Sequence, residues 1–400
     1  MAEPSRPPQP LGTEPATSEA RLPCNLLLAL ISMSVVLVLS QPIASAQDIP
    51  WLSDVQQPPK VRSTFDVGRL EPLLTKADGS LISTSVEWSA RRQDIDEKWQ
   101  QFLGPNLMTP TNSDFKVLDS TTVGDVTRSL IRYECEPDVF VEAYLLRPNV
   151  QSTQRRPGIV ALHHTAKATI DEIAGISGPD SRQLGLKLAK RGFVVMCPRC
   201  FLWQDAESLE VAVERFQQRH PKSLGMRKML FDAQRAVDIL TAMPDIDAER
   251  IGATGHSLGA KETLYLTAFD SRIRAAVASE GGMAFKSTNW DAIWYLGKQI
   301  NEPTFQRNHH ELLALIAPRP FLIVGGESGP GAADGDRSWP LLSEAIPVYR
   351  LYSNQPRLGL LNHQQGHDIP AGTFESMAEW LDMYLNKSNR IPTPGNAKSP

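Results

Sequence analysis

The sequence has little of what marks a disulfide-stapled, nucleic-acid-binding or membrane-embedded protein. Its 400 residues include only four cysteines, and the formal net charge is −4. Such a weak charge, with no basic stripe, lacks the electrostatic surface that nucleic-acid binding requires. Hydrophobic residues make up 41% of the chain and charged residues 22%, as in an ordinary globular protein. We therefore expect a globular protein with no nucleic-acid partner.

The cysteine and histidine patterns argue against a disulfide framework and against a metal centre. If Cys24 leaves with a leader, Cys135, Cys197 and Cys200 remain, and an odd number does not suit a framework. Cys197 and Cys200 have the spacing of a redox motif but follow a strand-like run, so a local disulfide and two inert thiols both stay open. The adjacent histidines at 163–164 and 309–310 have no carboxylate at ligand spacing. We predict no metal and no cofactor.

The first 46 residues predict an export signal rather than a part of the fold. Residues 1–20 are rich in Pro, Ser, Glu and Thr, which indicates disorder. Arg21 precedes an uncharged apolar run at 26–39, and Ala44-Ser45-Ala46 forms a small-residue cleavage pattern before Gln47. The run is shorter than the ~20 residues of a membrane span. We predict a secreted or periplasmic protein; the alternative is an uncleaved segment that anchors it to a membrane and is its only membrane contact.

Hydrophobic patterning divides the rest into an N-terminal extension (47–114), a main domain (115–387) and a disordered tail (388–400). Strand-like segments at 115–121, 129–135 and 140–146 predict an antiparallel meander. Continuous apolar runs follow at 158–162, 193–196, 251–253, 273–278, 320–324 and 358–361, separated by helical patterns at 181–190, 226–243, 258–268, 339–345 and 373–384. This alternation predicts an α/β fold with a mostly parallel sheet and helices on both faces. Residues 283–319 leave the sheet and are expected to form a cap-like insertion.

Residues 250–264, RIGATGHSLGAKETL, change from strand-like to helical at Ser257. Gly255 and Gly259 flank this serine, as a sharp strand-to-helix turn requires, because side chains there would crowd its backbone. Such a turn lifts the hydroxyl above the carboxyl end of the sheet, and the following helix N-terminus favours developing negative charge. We predict that Ser257 is a nucleophile; the alternative is a glycine-rich turn with a capping serine.

A serine nucleophile needs a general base, and with this kind of turn the histidine comes last in the chain. His363 and His367 both follow the strand-like run that ends at residue 361. We predict His367 as the base because Gly366-His367 precedes the last helix. His363 lies nearer the strand, and we assign it a structural or pocket-forming role.

Two regions offer the acid that orients the base. The loop after the run 320–324 is the usual place and contains Glu327, Asp334 and Asp336, but its glycine-rich sequence also suits solvated carboxylates. Glu280 ends the strand that follows the serine turn, where a desolvated carboxylate needs a partner. A histidinium would be such a partner, and backbone N–H groups or an arginine would serve in a purely structural role. We favour Glu280 and keep Asp334 and Asp336 as alternatives.

The oxyanion hole and the substrate pocket draw on four further residues. The backbone N–H of Leu258 is expected to form one half of the hole, and Thr165, in the loop 163–166, to supply the other. Lys261 is a secondary candidate for the pocket. Trp290 suits stacking on a sugar ring, but aromatic residues four apart on a helix, as Trp290 and Trp294 are, also pack in cores. Both interpretations of Trp290 stay open.

Taken together, these residues resemble the α/β-hydrolase superfamily, and within it the secreted esterases of the dienelactone hydrolase and acetyl xylan esterase kind. The resemblance covers about 117–385 and depends on GIVALHHT (158–165), KRGFVVMCP (190–198), RIGATGHSLGA (250–260), FDSRI (269–273), APRP (317–320) and Gly366-His367. It implies the α/β-hydrolase fold and an esterase activity without a cofactor. Dienelactone hydrolases use a cysteine nucleophile where this chain has Ser257, which disfavours that one activity.

A second resemblance, to the glucuronoyl esterases, concerns the acid. These enzymes carry their glutamate at the end of the strand after the serine turn, the position of Glu280 in this sequence. Lys261 is similar to a lysine that they place four residues after the serine. Leu258 departs from their pattern, since they carry an arginine there. We carry over only the position of the acid.

The sequence thus predicts a serine carboxylic-ester hydrolase that works through an acyl-enzyme and acts on small-molecule or carbohydrate esters. A serine peptidase of the prolyl-oligopeptidase kind shares the turn, but no propeller-sized repeat precedes residue 115. A non-catalytic, exported binding protein on the same scaffold is the third hypothesis.

Overall fold

A computed structural model describes residues 49–60, 64–76, 78–110 and 112–386. The leader and cleavage site expected in residues 1–46 and the tail expected at 388–400 lie outside these residues, so export, anchoring and tail disorder stay predictions. Within the described ranges, no helix is both long and apolar enough to span a bilayer.

The described strands are β1 (Phe115–Val123), β2 (Val126–Glu136), β3 (Val139–Pro148), β4 (Arg156–Leu162), β5 (Val194–Pro198), β6 (Ile246–His256), β7 (Ile273–Ser279), β8 (Phe321–Gly325) and β9 (Leu358–Asn362). They form one sheet in the order β1-β2-β3-β5-β4-β6-β7-β8-β9. The meander β1 to β3 is antiparallel, β3 pairs antiparallel with β5, and all remaining pairs are parallel. The predicted mixed sheet with an antiparallel N-terminal meander is confirmed.

The described helices are α1 (Ser85–Leu103), α2 (Ile170–Ile173), α3 (Leu184–Lys190), α4 (Leu209–Arg219), α5 (Gly225–Ala242), α6 (Leu258–Phe269), α7 (His310–Ile316), α8 (Trp339–Arg350) and α9 (Ala371–Leu385). Single 3-10 turns lie at Asp54–Gln56, Asp180–Arg182, Phe201–Trp203, Phe285–Ser287, Lys298–Asn301 and Gly335–Ser338. The patterning did not indicate α7, whose residues are all buried, so that the apolar periodicity of a half-exposed helix is missing.

The central strands bury apolar side chains on both of their faces because helices cover both sides of the sheet. In β4, Val160 and Leu162 pack into a core with α1, α5, α6, α7 and α8. Ile159 and Ala161 alternate with them and pack into a second core with α3 and α9. Since successive side chains of a strand point to opposite faces, each strand serves both cores.

The N-terminal extension packs onto the main domain through α1. This helix begins with a capping box, in which Thr84 accepts from the N–H of Glu87 at 3.2 Å and the Glu87 carboxylate accepts from the Thr84 hydroxyl. At the other end of α1, the buried Trp99 donates its indole N–H to Glu311 of α7 at 2.7 Å. The extension therefore satisfies a buried carboxylate of the predicted insertion.

The last hydrogen bonds of the sheet hold the residues that follow β6, β7 and β9 side by side. Ser257 donates its N–H to the carbonyl of the last residue of β7 at 2.8 Å. Glu280 and His363 donate theirs to the end of β8, to Val324 at 2.8 Å and Gly325 at 3.0 Å. Because the carboxyl ends of parallel strands meet at one edge of the sheet, Ser257, Glu280 and His363 come to the same place.

The close approach of α6 to β4 leaves no room for a side chain at Gly259. A Cβ atom on Gly259 would lie 2.0 Å from the carbonyl oxygen of Leu162. We expect Gly259→Ala to lower the free energy of unfolding by about 3 kcal/mol, because β4 and α6 must move apart. Urea unfolding followed by circular dichroism measures this loss.

Gly372 provides the matched control, since it is the second residue of α9 as Gly259 is of α6, and no atom lies within 4 Å of its Cβ position. Gly372→Ala should raise stability by up to about 1 kcal/mol, because alanine restricts the unfolded chain. Equal effects of the two substitutions would show that the approach of α6 to β4 does not require glycine.

Candidate active site

The turn between β6 and α6 has the backbone of a nucleophile elbow. Ser257 adopts φ 58° and ψ −114°, a conformation that non-glycine residues rarely take and that costs about 1–3 kcal/mol. A Cβ atom on Gly255 would lie 2.3 Å from the Gly259 backbone, so the glycine pair predicted from the sequence is sterically required. The strained turn places the half-buried Ser257 directly before the first residue of α6.

A cavity of 360 Å³ lies over the carboxyl ends of the strands and contains six of the predicted site residues. They are Thr165, Ser257, Leu258, Lys261, Glu280 and His367. Its wall also includes Leu209, Thr288, Asn289, Trp294, Tyr295 and Gly331. Two predicted residues, Asp334 and Trp290, are not on the wall.

Glu280 is the carboxylate that the structure brings to His367. Its side chain is fully buried, and the Nδ1 atom of His367 lies 3.9 Å from its Oε2 atom. At this separation the two atoms face each other without a hydrogen bond, and catalytic contacts often tighten when substrate binds. Three backbone N–H groups donate to the Glu280 carboxylate, from Gly326, Ala333 (2.7 Å) and Asp334 (3.3 Å). Backbone N–H groups therefore take the place of water around the Glu280 carboxylate.

His367 is fixed through its backbone on both the N–H and the carbonyl side. Its N–H donates to Pro330 O at 3.0 Å, and its carbonyl accepts from the Nη2 atom of Arg182 at 2.9 Å. Burial lowers the pKa of His367 below its ordinary value of 6.5; the Glu280 charge opposes this shift and the Arg182 charge adds to it. The imidazole is thus held neutral at neutral pH, as a general base must be.

Asp334 lies beside Glu280 but does not contact the base. Its carboxylate accepts from the N–H groups of Gly282 (3.0 Å) and Met283 (2.8 Å) and from the Ser338 hydroxyl. Burial and the neighbouring Glu280 charge raise the pKa of Asp334 to about 6. Among the described contacts, the carboxylate paired with His367 is that of Glu280, and Asp334 holds the chain that follows β7.

The second alternative acid, Asp336, also lies away from the base. Its Oδ1 atom is 3.9 Å from the Nη1 atom of Arg337, and no contact with His367 occurs in the described residues. Neither of the two aspartates after β8 is therefore placed as a triad acid by this structure.

Lys261 and Trp290 form one unit beneath the cavity. The Lys261 ammonium is buried, donates to Gly281 O and the Thr288 hydroxyl, and lies 4.3 Å over the Trp290 ring. Burial lowers the pKa of Lys261 to about 7. Trp290 is fully buried and donates its indole N–H to Gly282 O at 2.6 Å. The expectation of Trp290 as a substrate-binding residue is corrected: it packs in the core, because its indole N–H and ring face are already occupied, and Trp294 lies on the wall instead.

The two predicted oxyanion donors lie on the cavity wall with Ser257. Leu258 begins α6, so its N–H has no acceptor within the helix. Thr165 follows His163, which holds its loop: Cys200 N–H donates to the His163 Nε2 atom at 3.0 Å, and the His163 Nδ1 atom contacts His164 O at 2.8 Å. The Nε2 atom must therefore accept, and Nδ1 carries the proton.

The remaining cysteines and histidines have structural partners. Cys135, Cys197 and Cys200 are free, buried thiols, so of the two alternatives for Cys197 and Cys200 the structure shows inert thiols. His309 contacts Met283 O at 2.7 Å and the Tyr265 hydroxyl at 3.0 Å. Over the described residues, no group of three or more His, Cys, Asp or Glu side chains is arranged to hold a metal ion.

No sequence pattern indicates Arg182, which the structure places behind the base. It ends an isolated 3-10 turn and contacts Asp368 at 3.5 Å as well as the His367 carbonyl. Trp294 belongs to the same predicted insertion as Trp290 and is the tryptophan on the cavity wall. Neither position follows from residue spacing, because both depend on how loops fold over the edge of the sheet.

Comparison with known proteins supports the same fold. Residues 141–302 match the dienelactone hydrolase family. No curated protein sequence is similar enough to count as a relative. Among solved structures, a glucuronoyl esterase from Solibacter usitatus is 18% identical with a TM-score of 0.65, over 79% of this chain and 97% of that one.

Two further structures are similar at comparable distance. A CE15 glucuronoyl esterase from Teredinibacter turnerae T7901 is 20% identical with a TM-score of 0.60, over 78% of this chain and 88% of that one. Methylesterase BT1017 is 19% identical with a TM-score of 0.57, over 77% of this chain and 66% of that one. At these identities the similarity shows a shared fold.

The family match spans β6, the elbow and β7, and so includes Ser257 and Glu280. The sheet order, the strained serine and the cavity over the strand ends agree with it. The chain is accordingly a carboxylic ester hydrolase on the α/β-hydrolase fold, and its residues 141–302 are similar to the dienelactone hydrolase family.

Proposed function

We propose that this enzyme cleaves esters by acyl-enzyme chemistry, with Ser257 as nucleophile, His367 as base and Glu280 as acid. The observation that carries the proposal is that all three side chains share one cavity at the aligned ends of neighbouring strands. A strained serine, a neutral imidazole and a buried carboxylate are the parts that a catalytic triad needs.

In the proposed first step, the Ser257 hydroxyl oxygen attacks the ester carbonyl carbon while His367 takes the hydroxyl proton. The carbonyl oxygen becomes an oxyanion, which the N–H groups of Leu258 and Thr165 stabilise. As the intermediate collapses, the C–O bond to the alcohol breaks and His367 returns the proton to that leaving oxygen. Water then attacks the acyl-enzyme by the same sequence and releases the acid and Ser257.

Glu280 supports this cycle by stabilising the imidazolium that forms on His367. Its three backbone donors hydrogen-bond the carboxylate in a buried place, where a nearby positive charge interacts with it far more strongly than in water. The Nδ1–H bond of His367 then points at Glu280, which leaves Nε2 free to exchange the proton with Ser257.

We further propose that the substrate is a carbohydrate ester. The wall of the cavity includes the aromatic residues Trp294 and Tyr295 together with the polar residues Thr288, Asn289 and Lys261. Aromatic faces with a few hydroxyl, amide and ammonium groups suit a polyhydroxylated ring. Solved structures with the same fold include glucuronoyl esterases and a methylesterase, which is consistent with this substrate class.

We propose export as the setting of this activity. Its support is the sequence of residues 21–46, with a basic residue, an apolar run and a small-residue cleavage pattern. Retention on a membrane by the same segment is the alternative.

Replacement of the nucleophile tests the proposed activity. Ser257→Ala should lower kcat for p-nitrophenyl acetate by at least about 10³-fold, since no other group can form the acyl-enzyme. Ser343→Ala, at an exposed serine of α8, serves as the control and should keep the wild-type rate. A fluorophosphonate probe should label the wild type and not Ser257→Ala. Equal ester hydrolysis by the two proteins would contradict the proposal. Preference for peptide over ester substrates would favour the peptidase alternative.

The choice of acid is tested by two matched carboxamide substitutions. Glu280→Gln should lower kcat by about 10²-fold or more, because an amide cannot stabilise the imidazolium. Asp334→Asn should keep kcat within about tenfold of wild type while the free energy of unfolding falls by about 1–3 kcal/mol, since it weakens hydrogen bonds that are structural. Steady-state kinetics and thermal unfolding of both variants decide the matter; the reverse ranking of kcat would make Asp334 the acid.

The pH dependence of kcat/KM reports the state of His367. Only the neutral imidazole accepts the serine proton, and its pKa is lowered from 6.5 by burial, so activity should persist below pH 6.5 and fall only as pH drops through the lowered pKa. Lys261, with a pKa lowered to about 7, titrates in the same cavity, and the variant Lys261→Met should leave this acid limb in place. An acid limb above pH 7 in both proteins would contradict the lowered pKa of His367.

A further inference from the structure

We propose that His363 is a positioning residue that holds the Glu280 carboxylate in the orientation that His367 needs. The inference rests on the proposed triad and adds a second histidine to it, one that touches neither the substrate nor the nucleophile. It gives a role in the reaction to a side chain that does not line the cavity.

His363 is placed by the sheet itself. It follows the last residue of β9, and its N–H donates to Gly325 O of β8 at 3.0 Å. Its side chain is buried, with 4% of its surface exposed, and its Nε2 atom lies 3.5 Å from the Oε1 atom of Glu280. An imidazole anchored to two neighbouring strands thus faces the carboxylate from the side of β9.

The protonation of His363 follows from its other nitrogen. The backbone N–H of Gln365 donates to the His363 Nδ1 atom at 3.2 Å, so Nδ1 is an acceptor. A neutral imidazole that accepts at Nδ1 carries its proton on Nε2. The Nε2–H group therefore faces Glu280 Oε1, and no second tautomer suits the contact.

The two oxygens of Glu280 are divided between two imidazoles. Oε1 faces His363 Nε2 at 3.5 Å, and Oε2 faces His367 Nδ1 at 3.9 Å. Rotation of the carboxylate about its last bond would disturb both contacts together. His363 therefore opposes the rotation that would turn Oε2 away from His367.

The other donors to Glu280 are less well suited to this task. Gly326, Ala333 and Asp334 all belong to the segment between β8 and α8, which has little regular structure before its 3-10 turn. His363 brings a side-chain N–H group to 3.5 Å from the carboxylate, and it comes from a strand end. Catalytic geometry is sensitive to displacements of an ångström, so a rigidly placed neighbour of this kind affects the rate.

The test compares substitutions that keep different nitrogens of the imidazole. Glutamine places an N–H group near the position of Nε2, whereas asparagine reaches only to that of Nδ1. His363→Ala and His363→Asn should lower kcat by about 10- to 100-fold with KM nearly unchanged, because the acid is misaligned while the pocket is intact. His363→Gln should recover most of that loss.

A double-variant comparison separates positioning from general structural support. If His363 acts through Glu280, then adding His363→Ala to Glu280→Gln should cause no further loss of kcat. His220 gives a matched control, since it is also a partly buried histidine bonded to a glutamate, Glu136, at 2.6 Å but lies outside the cavity. His220→Ala should leave kcat unchanged, whatever its effect on the melting temperature.

The proposal is overturned if His363→Ala keeps the wild-type kcat, if His363→Gln is as slow as His363→Asn, or if the losses multiply in the double variant. Should His363→Ala not fold, the comparison of glutamine with asparagine decides by itself. Failure of the proposed function shows differently: wild type and Ser257→Ala would then hydrolyse the ester equally, which removes the basis of both proposals.

Discussion

The hydrogen bond from the Ser257 N–H to the carbonyl at the end of β7 is the contact on which the site depends. It continues the ladder between β6 and β7 one residue past the strand and so fixes the elbow against its neighbour. Equivalent bonds from Glu280 and His363 to β8 extend this order across four strands. Backbone pairing therefore positions Ser257, Glu280 and His363, whereas loops hold His367.

Burial and charge are balanced at this edge of the sheet. Two carboxylates, Glu280 and Asp334, lie together without a lysine or arginine salt bridge to either in the described contacts, and backbone N–H groups satisfy most of their oxygens. Glu280 faces imidazoles, whereas Asp334 faces only the chain it holds. The two adjacent acids thus have different partners, although they share a hydrogen-bond network, and this difference supports the proposed assignment of Glu280 as the triad acid.

Features of the site that depend on residues close together in the sequence could be predicted, whereas features that depend on contacts between distant segments could not. Ser257 and the elbow followed from local sterics, because two glycines at fixed spacing leave few other backbones. Glu280 followed from its place at a strand end. The sequence left Trp290 open between sugar stacking and core packing because its partners, Gly282 and Lys261, lie on other segments. Arg182 and the division of roles between Glu280 and Asp334 depend on how separate loops meet, for which periodicity carries no information.

The hydrogen bond between Trp99 and Glu311 shows that the N-terminal extension packs as part of the same unit as the main domain. Helix α7 is bonded on one side to α1 through this pair, and on the other side its neighbour His309 contacts the carbonyl of Met283, three residues after Glu280. The predicted cap-like insertion is consequently tied both to the N-terminal extension and to the chain that follows β7. Residues 212 positions apart in the sequence thus hold the N-terminal extension and the insertion together.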